Sequence, residues 1–394
     1  MSPTPQADGQ SSTAPHQAPA SQTVRPLEMT NGTRLWLITG YAEVRQALAD
    51  PRIAKDSWQI MRILRERRIQ VHQDIFSQAM AHHMLNTDPP EHHRLRQMVN
   101  KSFTMRRVQQ LRPRIEQVTD ELLDAVRGLD VVDVIDTLAF PLPIIVICEL
   151  LGVPERDRNT FRAWISAFLL AVEPEVRLEA STAMDAYIRQ QVAAKRAAPD
   201  DDMISVLATE ESEDRLSDDE IVAMIVLLLA AGHETTVNLI GNGMLALVTH
   251  PAQFAELRAD RSLLPGAIEE FLRYDGPVNQ ATLRFTSEPV EIGGRVIPEG
   301  EFVMLNIDSA NHDPQRYADP DRFDLHRDAR GHLSFGHGIH FCLGAPLARL
   351  EAEVVFGRLL DTFDEIELAA PVEQLEWRSS TLMRGLEKLP VRMK

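Results

Sequence analysis

The stretch from Phe335 to Leu350 constrains the backbone more than any other in the chain. It reads Phe-Gly-His-Gly-Ile-His-Phe-Cys-Leu-Gly-Ala-Pro-Leu-Ala-Arg-Leu. Gly336 and Gly338 can adopt left-handed conformations closed to other residues, so the first half predicts a tight turn. Pro346 suits the first turn of a helix, where its missing N–H costs nothing. Cys342 therefore belongs where a loop becomes a helix. Unpaired N–H groups and the positive end of the helix dipole point at its sulfur there. Both favour thiolate over thiol. Such a thiolate can ligate a soft or borderline metal, haem iron being one candidate. The simpler alternative is a free cysteine packed as a small hydrophobe.

A chain of 394 residues can build a sizeable core, as two or three ordinary domains or as one large enzyme domain. Its formal charge of −17 argues against a general nucleic-acid binder, which needs basic surface. Cys148 and Cys342 are the two cysteines and show no disulfide framework or zinc spacing. Cys148 sits in the apolar run from Ile144 to Leu151 and reads as core. A reducing, cytoplasmic home follows as the expectation. Residues 1–26 open with Ser, Pro, Gln, Ala and Thr and lack the apolar core of a signal peptide, so disorder is expected there. The longest apolar run, Ile221 to Gly232, is too short to span a bilayer, and no membrane is expected.

Hydrophobic periodicity predicts a strand over Arg34–Thr39 and a helix over Tyr41–Ala49, then helices over Val108–Val126 and Val134–Leu151. Further helices are expected at Phe161–Leu170, Ala180–Lys195 and Leu347–Leu360. Ser217-Asp218-Asp219-Glu220 is a capping box that opens a long helix to about Thr249. The first part of that helix is apolar all round, which predicts burial. Val290–Ile292 and Val296–Ile297 flank Gly293-Gly294 as a hairpin, and Phe302–Ile307 is another apolar strand. No internal repeat is visible.

Several polar spacings interrupt this pattern. His92 and Arg96, after Pro89-Pro90, lie at i and i+4 on one helix face, two donors suited to an acidic ligand or to plain surface. Gly232-His233-Glu234-Thr235-Thr236 breaks into the buried helix. A carboxylate there needs a hydrogen-bonding or water-filled site. A zinc-protease helix is excluded because position 237 is Val rather than His; a packing kink with satisfied polar groups stays open. Glu270 and Arg273 are placed to pair at i and i+3.

Phe335, Gly338, Cys342 and Gly344 fit Phe-x-x-Gly-x-x-x-Cys-x-Gly, which resembles the haem-binding loop of the cytochrome P-450 family. The other spacings match that family's motifs in the same order, from about residue 34 to the C-terminus. Asp88-Pro89-Pro90, Thr104-Met105-Arg106-Arg107 and Ala231 to Leu239 are most similar to the bacterial macrolide- and polyketide-tailoring hydroxylases. The resemblance implies a mainly helical fold with a small β-rich lobe, one domain over residues 27–394. Haem b would lie between the long central helix and the Cys342 loop, with Cys342 as axial thiolate. It implies that His92, Arg96, Arg284 and His340 bind haem propionates, and that Thr235 and Glu234 serve oxygen activation and proton supply. Glu270 and Arg273 become a buried ion pair supporting the haem loop, with Arg322 and Arg327 competing for the third place.

The implied reaction inserts one atom of O2 into a bulky apolar metabolite. Electrons would come ultimately from NAD(P)H, through a ferredoxin reductase and a ferredoxin docked near Arg106, Arg107 and Arg349. Leu85, Phe168, Leu228, Ala231, Val278, Asn279, Gln280 and Leu382 fall in the segments that line the family's substrate cavity. Oxidative ring closure or C–O/C–C bond formation at the same site is an alternative, and a haem-based sensor a further one. One departure stands out. Gln22 to Thr33 is too short for the family's usual N-terminal start and first helix, so the lobe at the substrate entrance is expected to be trimmed or built differently.

Overall fold

Ser217 and Glu220 form the capping box that their spacing predicts, each side chain bonding the other's backbone N–H. They start a helix of 32 residues, Asp218–Thr249, about which the chain is arranged. A computed structural model describes residues 23–28, 33–67, 82–101, 103–170 and 173–394.

The chain begins with strands β1 (Val24–Glu28) and β2 (Arg34–Ile38), helix α1 (Tyr41–Ala49) and the short β3 (Ile53–Ala54). Helices α2 (Ser57–Glu66), α3 (Glu91–Asn100), α4 (Met105–Gln110) and α5 (Arg112–Val126) follow, then β4 (Val132–Asp133). Next come α6 (Pro141–Leu151), α7 (Arg158–Leu170), α8 (Pro174–Ala197), α9 (Met203–Ala208) and the long α10 (Asp218–Thr249). After α11 (Pro251–Ala259) and α12 (Leu264–Tyr274) lie β5 (Arg284–Thr286), the hairpin β6 (Val290–Ile292) and β7 (Arg295–Ile297), and β8 (Phe302–Leu305). Helices α13 (Ile307–Asn311) and α14 (Ala345–Thr362) precede β9 (Ile366–Leu368) and β10 (Pro390–Met393). The result is mainly helical with a small β lobe, as expected.

The main sheet has the order β1-β2-β8-β5-β3. β1 pairs antiparallel with β2, from Val24↔Ile38 to Glu28↔Arg34. The expectation of disorder through residue 26 therefore ends too late: Val24 to Pro26 are strand, while residues 1–22 lie outside the described residues. Pro26 hides this strand in the sequence, because proline is tolerated on an edge strand but weakens the strand signal. The helix expected over 108–126 is two helices. Pro113 stands in the first turn of α5 and has no N–H to continue α4. The stretch expected as helix from Val134 begins with a π-helical turn, Ile135–Ala139, before Pro141 starts α6.

The core falls into two large apolar clusters that share α10. Ile221 to Leu229 pack with α6, α7, α8 and α9, whereas Val237 to Leu247 pack with α5, α12 and α14. By length and composition α10 could span a bilayer, contrary to the shorter run read from the sequence, but most of its apolar window is buried in this core. Between the clusters, Ala231 is exposed and Gly232, Glu234 and Thr235 are half-buried. The buried helix is thus accessible to solvent at its polar interruption.

Candidate active site

The loop before α14 has the shape that its glycines predict. Gly336 and Gly338 have φ of 71° and 75°. A Cβ on Gly338 would stand 2.8 Å from the carbonyl oxygen of Leu48, so this glycine also lets the loop press against the end of α1. The Cys342 N–H donates to the carbonyl of Phe335 at 2.9 Å and closes the loop. Pro346 lies in the first turn of α14. Cys342 is exposed, and the N–H groups of Gly344 and Ala345 bond toward its sulfur. The expected preference for thiolate is nonetheless reversed. Crowding by protein on the other sides of the side chain raises the thiol pKa, outweighing Gly344, Arg96, Ala345 and Arg349. The loop positions a thiol, and a bound metal cation would supply the charge that makes it a thiolate.

Beside this loop, basic side chains gather, with Asp88 as the nearby carboxylate acting on them. His92 on α3 is 1% exposed and both its ring nitrogens lack a partner. Its ring centroid lies 4.3 Å from that of His340, whose Nε2 is also unpartnered. Arg284 is buried on β5, donates to the Ile53 carbonyl at 3.3 Å, and leaves Nε unpartnered. Arg96 donates to the Phe341 carbonyl at 2.7 Å and so ties α3 to the cysteine loop. Lys55, unremarked in the sequence, joins them. None of the five forms an ion pair with a carboxylate among the described residues.

Their titration records the crowding. Burial, then Arg96, His93 and Lys55, bring His92 down to about 4. Burial, then Lys55, His92, Arg284 and Arg96, bring His340 down to about 2. Burial alone brings Arg284 down to about 10 against the opposing pull of Asp88. Buried donors without acceptors are costly, and a pocket full of them calls for an anion. Haem carries two carboxylates and an iron that a cysteine sulfur would ligate, so this residue set fits haem.

The loop is held from behind. Glu270 and Arg273 on α12 are fully buried and bidentate, with Nε–Oε2 of 2.7 Å and Nη2–Oε1 of 2.8 Å. Arg327 is the third member, its Nε donating to Glu270 Oε1 at 3.2 Å. The Arg322 side chain is exposed and leans toward Asp324. Arg273 also donates to the carbonyls of Asn311 and Pro320, at 3.0 and 2.8 Å. The Asn311 side chain in turn bonds Leu333 N–H and Ser334 Oγ, at the root of the cysteine loop.

On α10, Thr235 Oγ1 donates to the Ala231 carbonyl one turn back, at 2.7 Å. The helix runs unbroken from Asp218 to Thr249 through this stretch. His233 turns away to the Phe140 carbonyl, 3.0 Å from Nε2. Glu234 pairs with Arg378 at 3.4 Å, a partner 144 residues away that no spacing could reveal.

Glu351 on α14 also escaped the sequence reading, although Leu347, Glu351 and Val355 share one face at i, i+4 and i+8. It is 2% exposed. Burial pushes its carboxyl up to about 8, against a lowering pull from the Thr236 hydroxyl. The folded protein then keeps a proton that the unfolded chain has lost. Stability from this group is complete below an ordinary carboxyl pKa and is lost as pH rises toward about 8. Glu351→Gln keeps the neutral shape and should remove that loss. Its thermal midpoint should gain on wild type between about pH 5 and 8; parallel curves would contradict a buried neutral carboxyl.

The candidate substrate residues divide into two groups. Phe168 and Leu228 are buried in one core cluster, with Leu85 packed against it. Val278, Asn279 and Gln280 run beside the C-terminal segment: Val278 bridges Met383, and the Asn279 N–H donates to the Leu382 carbonyl at 2.9 Å. Gln280 bridges Asn306, and the Leu382 side chain is exposed. Ala231 opens from the middle of α10. Residues 68–81, which precede Leu85 in the chain, lie outside the described residues.

Comparison with known proteins agrees with this geometry. A family model described as Cytochrome P450 matches residues 161–386. Cytochrome P450 107B1 of Saccharopolyspora erythraea is 53% identical over 371 residues, 94% of this chain and 92% of that protein. The 6-deoxyerythronolide B hydroxylase of the same species is 44% identical over 92% of this chain and 91% of its own length. Among solved structures, the tirandamycin C-bound mono-oxygenase TamI aligns with a TM-score of 0.86 and 48% identity, covering 94% of each chain. A thiol set at a helix start, donors waiting for carboxylates, and kinship along nearly the whole chain converge on one conclusion: this protein belongs to the cytochrome P450 family of haem-thiolate mono-oxygenases.

Proposed function

We propose that this chain hydroxylates a bulky apolar metabolite of polyketide or macrolide type, with Cys342 as the residue that would ligate its haem iron. The observation that carries the reading is the exposed thiol at the α14 start beside five basic groups, none ion-paired with a carboxylate among the described residues. His92, Arg96, Arg284 and His340 would take the propionates. Haem held through Cys342 supplies the oxidising chemistry, and O2 the inserted atom. The relatives support the substrate class, since one is named for hydroxylating 6-deoxyerythronolide B and another was solved with tirandamycin C. The first of these names also supports oxygen insertion over ring closure.

The chain's own residues handle position and protons. The wall from Val278 to Gln280 beside Leu382, with Ala231 facing it from α10 in this reading, would orient the substrate and exclude water. Glu234 and Thr235 would hold and pass protons, Arg378 fixing the Glu234 carboxylate and the Ala231 carbonyl orienting the Thr235 hydroxyl. Electrons would come from NAD(P)H through a ferredoxin and its reductase in the cytoplasm. Arg349 is engaged by Glu269 and Arg107 by Asp201, which leaves exposed Arg106 as the freest of the three docking candidates.

The CO difference spectrum of the reduced protein tests the assignment. A strongly red-shifted Soret band is expected; a histidine-type band, or no haem, would overturn it. Glu234→Gln and Thr235→Ala should each lower kcat by about 10²-fold, the scale of a positioned proton donor. NAD(P)H consumption should meanwhile be diverted into hydrogen peroxide. Product formed per NAD(P)H is the readout, and unchanged coupling in both variants would remove these residues from proton supply.

A further inference from the structure

Lys55 belongs to none of the motifs, yet it sits at the centre of the basic cluster. It follows β3, which pairs with β5 as Ile53↔Thr286 and Ala54↔Phe285. The same register carried one step further sets Lys55 opposite Arg284. Thr282, two residues before Arg284, falls on the same side of the extended segment. The lysine is 3% exposed, and its Nζ donates to Thr282 Oγ1 at 2.8 Å.

An ammonium has three donors, and among the described residues the Thr282 hydroxyl is the one acceptor that Nζ has. Asp88 lies close, but its Oδ2 accepts the backbone N–H groups of Lys55 and Asp56, at 2.9 and 2.8 Å. Burial and then Arg284 hold the Lys55 pKa well below its ordinary value, with Asp88 opposing them. The lysine in turn bears on His83, His92 and His340, lowering each. A buried cation among cations, with donors to spare, is a poor way to pack a core. It becomes a good one when an anion enters.

We propose that Lys55 and Thr282 together bind a carboxylate. Nζ supplies a charge-assisted bond, and the Thr282 hydroxyl, already accepting from Nζ, turns its own proton toward the anion. The carboxylate comes either from the haem, as a propionate shared with Arg284 and His340, or from an acidic substrate seated beside Thr282. The proposal rests on the haem reading above. Failure of that reading would show in the wild-type CO spectrum before any Lys55 variant is made.

The test uses the holoenzyme as wild type, Lys55→Met, Lys55→Arg and Thr282→Val. One arm follows haem transfer to excess apomyoglobin. The other is a spectral titration with dodecanoic acid and with 1-dodecanol. Haem release about tenfold faster in Lys55→Met, the scale of one charge-assisted hydrogen bond, assigns the carboxylate to the cofactor. An unchanged release rate with an acid-over-alcohol preference about tenfold smaller assigns it to the substrate. Lys55→Arg should recover most of either effect, and Thr282→Val should show the same change on a smaller scale. Should Lys55→Met not fold, Thr282→Val and Lys55→Arg carry the comparison. Release and preference both unchanged in the folded variants would overturn the proposal.

Discussion

Arg273→Ala is expected to destabilise the protein by about 3–5 kcal/mol, the cost of leaving one member of a buried pair without the other. The residue is fully buried, and its loss strands the Glu270 carboxylate together with the carbonyls of Asn311 and Pro320. Arg327 reaches Glu270 with one bond at 3.2 Å and cannot replace a bidentate partner. In thermal unfolding the midpoint should fall by roughly 4–6 °C. Glu270→Ala should cost a similar amount, since it strands Arg273, Arg327 and the Asp324 N–H, which bonds Glu270 at 3.1 Å. The double variant should cost far less than the sum of the two, because each single change already breaks the pair. Additive losses would mean that the two side chains act independently. Asn311 links this pair to Leu333 and Ser334, so haem retention should fall along with stability.

Cys342→Ser should have the opposite profile: abolished function on an intact fold. The side chain is exposed, and the backbone bond to Phe335 does not depend on it. The unfolding free energy of the haem-free protein should stay within the range of a surface substitution, about ±0.5 kcal/mol. The red-shifted CO band and mono-oxygenase turnover should both be lost, because serine would offer a haem iron no thiolate. Cys342→Ala should do the same and also weaken haem retention. A red-shifted band surviving in either variant would place the ligand elsewhere. Cys148 is a poor substitute: it is buried between α3 and α6–α9, and burial pushes its thiol up to about 12.

Much of this was legible along the chain because local rules decide it. The Ser217 capping box, the limits of α1, the hairpin at Gly293-Gly294 and the turn-to-helix change at Cys342 depend on a few neighbouring residues, and their physics is in the spacing. Glu270 and Arg273 were legible as a possible pair for the same reason. Their burial was not, and neither was the choice of Arg327 over Arg322, since both arginines sit in one short stretch and only packing selects which points inward. β1 was hidden by Pro26, whose tolerance depends on the strand lying at a sheet edge.

What the amino-acid order determined by itself is therefore the set of parts: a thiol at a helix start, a buried helix with a polar interruption, and donors spaced for an acid. The tertiary structure alone decided their electrostatics. It brought Lys55 opposite Arg284 and His92 against His340, gave Glu234 its Arg378, buried Glu351 beneath Thr236, and raised the Cys342 thiol that the helix start should have lowered. Desolvation and charge–charge interaction depend on distance through space, and no spacing along the chain encodes that distance.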